Sequence, residues 1–143
     1  MIFGSCHKAP HTSNKHYDYF VVTWIGGVPL NPYQTFVSVS NTGMSYDTMH
    51  PIDYLPENIS DLRFNYPMSA TQFAKVKTLP DSIPTELFAH PGGMMYGRTS
   101  IDGMTTYVWY SINGVPFEWT FGDDESSSSP AVQQFYYRLA NDF

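Results

Sequence analysis

Five histidines, one cysteine and thirteen carboxylates are the side chains of this sequence with the chemistry to bind a metal, attack a carbonyl or move a proton. His7, His11 and His16 lie in a polar stretch, HKAPHTSNKHY. A His-rich tract there could hold a stray divalent cation; histidines incidental to a tail are the plainer reading. Asp47, His50 and Asp53 have the spacing of one helical face, but Pro51 excludes a helix interior. A single cysteine, Cys6, excludes an intrachain disulfide framework and a thiolate zinc cluster. No G-x-S-x-G elbow occurs, and the run Ser126 to Ser129 reads as low-complexity loop, since serine abundance is not activation, which needs a base within hydrogen-bond reach. Asp123, Asp124 and Glu125 could share a Ca²⁺ with loop carbonyls, yet the spacing D-x-[DN]-x-[DN]-G is absent. A solvated acidic loop ahead of a helix suits them better, because negative charge is favoured there. The glycine fingerprints of nucleotide sites are missing too. No catalytic residue, cofactor or metal site is expected.

The aromatic side chains are the better candidates for a site. Met104 to Ile112 (MTTYVWYSI) and Val115 to Phe121 (VPFEWTF) flank Asn113-Gly114. Asn-Gly between two such runs predicts a type I′ hairpin, whose two turn residues both need positive φ. The two-residue loop sets 112 against 115, 110 against 117 and 108 against 119. Val108, Tyr110, Ile112, Val115, Phe117, Trp119 and Phe121 then share one face, the expected core. The other face carries Tyr107, Trp109, Ser111, Glu118 and Thr120. A Tyr107/Trp109 pair beside the Glu118 carboxylate could stack on a sugar or seat a partner's side chain. Alternatively a loop covers that face, or Trp109 is simply large and half-buried.

The elements that must position this hairpin follow from pattern. Tyr19 to Ile25 (YFVVTWI) is a near-continuous apolar run, as a central strand requires. Gly26 to Pro32 reads as loop, Tyr33 to Ser40 as a second strand, and Asn41-Thr42-Gly43 as a turn from which Met44 to Met49 pairs back. Leu62, Phe64 and Tyr66 alternate with polar neighbours, a half-buried strand signal. Ser69 with Gln72 forms a capping-box pattern, which predicts a short helix over 69–78. Residues 80–93 are rich in Pro and Gly and read as loop, and Asp102-Gly103 as a turn joining Met95 to Ser100 to the hairpin. Ser129 caps a last helix with Pro130 at its first position, and Val132, Phe135, Tyr136 and Leu139 form its apolar stripe. The expected fold is α+β: an antiparallel sheet of about five to seven strands with two helices packed on one face. Residues 1–17 read as a tail and 18–143 as a single domain.

Composition narrows the function classes. Only 14% of residues are charged, against about 25% in typical domains, so Ser, Thr, Asn, Gly and Tyr must cover the surface. That suits an extracellular protein or a subunit of an assembly. The net charge is −6 with four Lys and three Arg; without a basic stripe, nucleic acid is not an expected partner. No apolar run is long enough for a membrane-spanning helix.

The start, Met1-Ile2-Phe3-Gly4-Ser5-Cys6-His7-Lys8, resembles the end of a bacterial lipoprotein signal, with small residues before the cysteine and an apolar stub before them. The resemblance implies lipidation at Cys6 and a polar tether behind it. Five residues are fewer than a charged region plus an apolar one, so it also implies a start upstream of Met1. The alternative is a lone, inert thiol. Asp47-Thr48-Met49 and Asp81-Ser82-Ile83 resemble the short O-glycosylation motif of some Bacteroidota envelope proteins, and Asn58-Ile59-Ser60 is an N-glycosylation acceptor tripeptide. Across 18–143 the order of elements is similar to small bacterial inhibitor and lipoprotein domains such as the emfourin type of metalloprotease inhibitor, in layout alone. The expectation is a non-enzymatic, extracytoplasmic binding or interaction domain with a protein or glycan partner, touching membrane only through a lipid on Cys6. A structural subunit of a virion or filament and a protease inhibitor are the alternatives.

Overall fold

A computed structural model describes residues 16–26, 36–47, 55–91, 94–100, 103–124 and 126–143. Among the described residues seven strands form one sheet: β1 (Tyr19–Gly26), β2 (Phe36–Val39), β3 (Met44–Asp47), β4 (Tyr66–Pro67), β5 (Met94–Tyr96), β6 (Met104–Ile112) and β7 (Val115–Phe121). Two helices, α1 (Ala70–Val76) and α2 (Pro130–Asn141), complete the α+β fold. The spatial order is β4-β3-β2-β1-β6-β7-β5. Every pairing is antiparallel except that of β5 with β7.

The apolar run at Tyr19 is the central strand, hydrogen-bonded to β2 on one side and β6 on the other. Phe20 and Val22, with Val37, Val39, Val108, Tyr110, Trp119 and Phe121, face the helices and meet Val76 of α1 and the full stripe of α2. Ser69 caps α1 as its spacing predicts: Gln72 N–H donates to the Ser69 hydroxyl at 3.2 Å, and Gln72 Oε1 accepts from Ser69 N–H at 3.2 Å. Ser129 caps α2, taking Val132 N–H at 3.3 Å. Arg138 fastens α2 to the end of α1, pairing with Asp142 at 2.9 Å and donating to Ser82 Oγ and Thr78 Oγ1.

The hairpin has the expected register, Ile112 against Val115 and Val108 against Trp119. Asn113 and Gly114 have φ of 54° and 75°, the positive values a type I′ turn demands. No atom lies within 4 Å of where a Gly114 Cβ would stand, so a side chain there is opposed by backbone conformation alone. Gly114→Val is expected to lower the melting temperature by several degrees, the left-handed region costing an ordinary residue roughly 1–2 kcal/mol, more for a β-branched one. Gly114→Asn should lower it less. Equal melting of Gly114→Val and wild type would place the turn elsewhere.

Asp18 ties the chain ahead of β1 to this turn. Its Oδ2 accepts from Gly114 N–H at 2.8 Å and from the Ser111 hydroxyl at 2.7 Å. These donors, the Gly114 amide first, hold the carboxyl below its ordinary 3.8. A carboxyl depressed on folding contributes stability that is complete above its unfolded pKa and lost as pH falls through the folded one. Asp18→Asn is therefore expected to be less stable than wild type at neutral pH, with the gap closing below about pH 4. A gap independent of pH would show that the charge of Asp18 is not what holds the turn.

Three expectations are corrected. Residues 61–66 are not a strand: Ile59–Asp61 is a 3-10 turn, and only Tyr66–Pro67 pairs, with Tyr46 and Ser45 of β3. Met95 to Ser100 does not fold back on the hairpin's first strand; Met94–Tyr96 joins β7 in parallel at the sheet's far edge. Residues 80–93 are not all irregular, since Pro80–Ser82 and Thr85–Ala89 are 3-10 turns that add Leu87 to the core. Cys6, His7, His11, His50, Asp53, Asp102 and Glu125 lie outside the described residues, as does the loop after Gly26.

Candidate functional site

The face of the sheet turned away from the helices carries the Tyr107, Trp109 and Glu118 positions. Register sets Trp109 directly against Glu118 and, on its other side, against Val21 of β1. This face has its own small apolar cluster of Val21, Phe36, Leu62 and Trp109, flanked by Tyr19, Ile59, Phe64 and Tyr107. Leu62 belongs to a strap, residues 55–65, that crosses the face. The buried Asp47 holds that strap, its Oδ2 accepting Arg63 N–H at 2.8 Å.

The expected exposed Tyr/Trp pair is therefore mostly covered. Trp109 is 7% exposed, with Tyr107 stacked on it at 6.0 Å and 16° and Phe36 tilted against it at 6.0 Å. Tyr107 is half-buried and Glu118 exposed. The covering loop, one of the two plain alternatives, describes Trp109 better than open exposure does.

The strap does not reach across the whole face. Between it and the hairpin lies a groove of about 300 Å³. Tyr19 contributes aromatic surface together with the small exposed part of Trp109. Pro56, Pro91 and Pro116 form stiff walls. Phe117 borders the groove while its ring packs on Phe88 and Trp119 of the helix side. Glu57 and Glu118 bring the carboxylates, beside Asn58 and Ile59. Tyr107 is not part of the lining. Both walls are pinned by backbone. Pro91 C=O accepts Glu118 N–H at 3.0 Å, and Asn58 C=O accepts Asp61 N–H at 3.0 Å to open the 3-10 turn. Burial pushes the Tyr19 hydroxyl pKa up, and the negative charges of Asp18 and Glu118 add to it. Two of the three predicted positions thus meet here. Tyr19 and Glu57 are additions that no local pattern signals.

A second groove, of about 310 Å³, opens on the helix side where Trp24 meets Phe143 at 5.1 Å. Met44, Met68 and Met104 line it. Among the described residues no three His, Cys, Asp or Glu side chains converge on a possible metal position, and no helix is long and apolar enough to cross a membrane. Of the glycosylation tripeptides, Asn58 is exposed at the groove. The Ser82 hydroxyl is engaged, donating to Leu79 C=O at 2.8 Å and accepting from Arg138. Thr48 lies outside the described residues. No protein-family model, curated protein or solved structure matches the chain.

Proposed function

We propose that this chain is a non-enzymatic binding domain whose groove on the helix-free face seats a protruding group of a protein or glycan partner. The observation that supports it is the convergence of Tyr19, Trp109, Glu57 and Glu118 with three prolines around one concavity. Rigid aromatic surface with a few polar groups at its edge gives contact area at low entropic cost. Short peptides and glycans screened in parallel against wild type and Glu118→Arg test it. Because Glu118 is exposed, the substitution leaves the core intact while filling the groove with a long side chain. Ligands held by wild type and lost by Glu118→Arg are expected; ligands held equally by both would put the binding surface elsewhere.

The same proposal has the domain outside the cytoplasm, held by a lipid on Cys6. Its support is the sequence Ile2-Phe3-Gly4-Ser5-Cys6 and the low content of charged side chains. A mass spectrum of native protein is expected to show an N-terminal diacylglyceryl cysteine; intact Met1 with unmodified Cys6 would end that part and favour an assembly subunit.

A further inference from the structure

Resting on the groove reading, we propose that the group seated there is an arginine side chain presented by a basic segment of a partner protein. Three observations carry it. The first is aromatic and imino-acid lining: Tyr19 and Trp109 with Pro56, Pro91 and Pro116. A guanidinium is planar and weakly hydrated, and it packs on such surfaces where an ammonium stays with its water. The second is the position of two carboxylates, Glu57 and Glu118, in that same lining. Among the described residues neither meets a cationic partner, and no Lys, Arg or His lines the groove. Among the described residues the two carboxylates thus have no cation beside them, and a guanidinium fork matches a carboxylate with two parallel N–H···O bonds. The third is the field around them. Burial first, and then the negative charges of Asp18 and Glu118, raise the Tyr19 hydroxyl pKa, so the charge beside this ring is negative. The net charge of −6 draws a basic partner from a distance.

The chemistry separates the proposal from its neighbours. A neutral sugar would use the aromatic surface but gain little from two anionic walls. A lysine would satisfy the charge but not the planar contact. Acetylated and amidated Gly-Arg-Gly is therefore titrated into ¹⁵N-labelled protein, following the Trp109 indole N–H and the Glu118 and Asn58 amides. The same peptide with citrulline, the same with lysine, and a cello-oligosaccharide are compared. The arginine peptide is expected to move these signals, with citrulline at least about tenfold weaker, lysine intermediate, and Glu57→Gln and Glu118→Gln each weakening arginine about tenfold, as loss of one charge-assisted contact implies. Equal binding of arginine and citrulline would overturn the choice of ligand while leaving the groove as the binding surface. Movement by the oligosaccharide alone would overturn it in favour of a glycan. No movement of these signals by the arginine peptide at tens of millimolar would also overturn it. The Glu118→Arg screen then decides separately whether the groove binds anything.

Discussion

A chain ending at residue 129 is expected to show no cooperative unfolding transition. The deletion removes Val132, Phe135, Tyr136 and Leu139, all buried, from the helix side of the sheet. Each is worth about 1.5–3 kcal/mol on burial, which together amounts to roughly 6–12 kcal/mol and rivals the whole ~5–15 kcal/mol stability of a domain. The loss also uncovers partners. Phe121 packs on Phe135 and on Tyr136, each at 6.0 Å, and Arg138 no longer joins the end of α1. Calorimetry of the truncated chain decides the matter: a sharp heat-absorption peak would mean that the sheet holds its core without α2. Leu139→Ala is the graded version, expected to cost about 2–5 kcal/mol with folding retained.

Trp119→Ala is expected to be the most damaging single substitution, at about 3–5 kcal/mol. Trp119 is fully buried, ringed by Phe88 and Phe117 at 5.6 Å and by Tyr110 at 6.2 Å. Its Nε1–H also donates to Leu87 C=O at 3.0 Å and to His90 C=O at 3.2 Å. Trp119→Phe keeps a ring in the site but removes the indole donor; Leu87 C=O still accepts His90 N–H at 3.1 Å, so the loss is that of an ordinary hydrogen bond, about 0.5–1.5 kcal/mol. Urea unfolding of the two variants separates packing from hydrogen bonding. Equal losses would show that the indole N–H matters more than ring volume. Because Trp119 holds the 85–90 segment, which leads into Pro91 of the groove wall, Trp119→Phe is also expected to weaken binding there without touching the ligand.

Local signals were legible in the sequence, and long-range ones were not. Asn113-Gly114 announces its turn because only a few residues accept positive φ, and the two-residue loop then sets Trp109 against Glu118. Ser69, Gln72, Ser129 and Pro130 mark helix starts through their own side chains. The alternation from Asp61 to Tyr66 signals burial at Leu62 and in part at Phe64 but not at the exposed Tyr66, and over 61–65 it is a false signal of a ladder. Leu62 is buried and Arg63 exposed as the pattern implies, yet Arg63 N–H goes to the Asp47 carboxylate and Asn65 N–H to Arg63 C=O, so these groups are taken from any ladder. The parallel crossover of β5 leaves no periodic trace. Tyr19 and Glu57 reach Glu118 only through the pairing of β1 with β6 and the path of the strap, neither of which is written in any short window. The covering of Trp109 has the same origin.

The order β4-β3-β2-β1-β6-β7-β5 also sets a timetable for a chain made from its N-terminus. The central strand is the first to leave the ribosome, and β2 and β3 can close one of its edges soon after. Its other edge belongs to β6, which ends only at Ile112. At about 5–20 residues per second, the apolar stretch from Tyr19 to Ile25 waits on the order of ten seconds with that edge open. An unpaired strand of this composition is a template for neighbouring chains on the same message. Crowded synthesis is thus a condition under which this fold is exposed to loss. Holding the nascent chain until β6 has emerged is the service it would need from the cell.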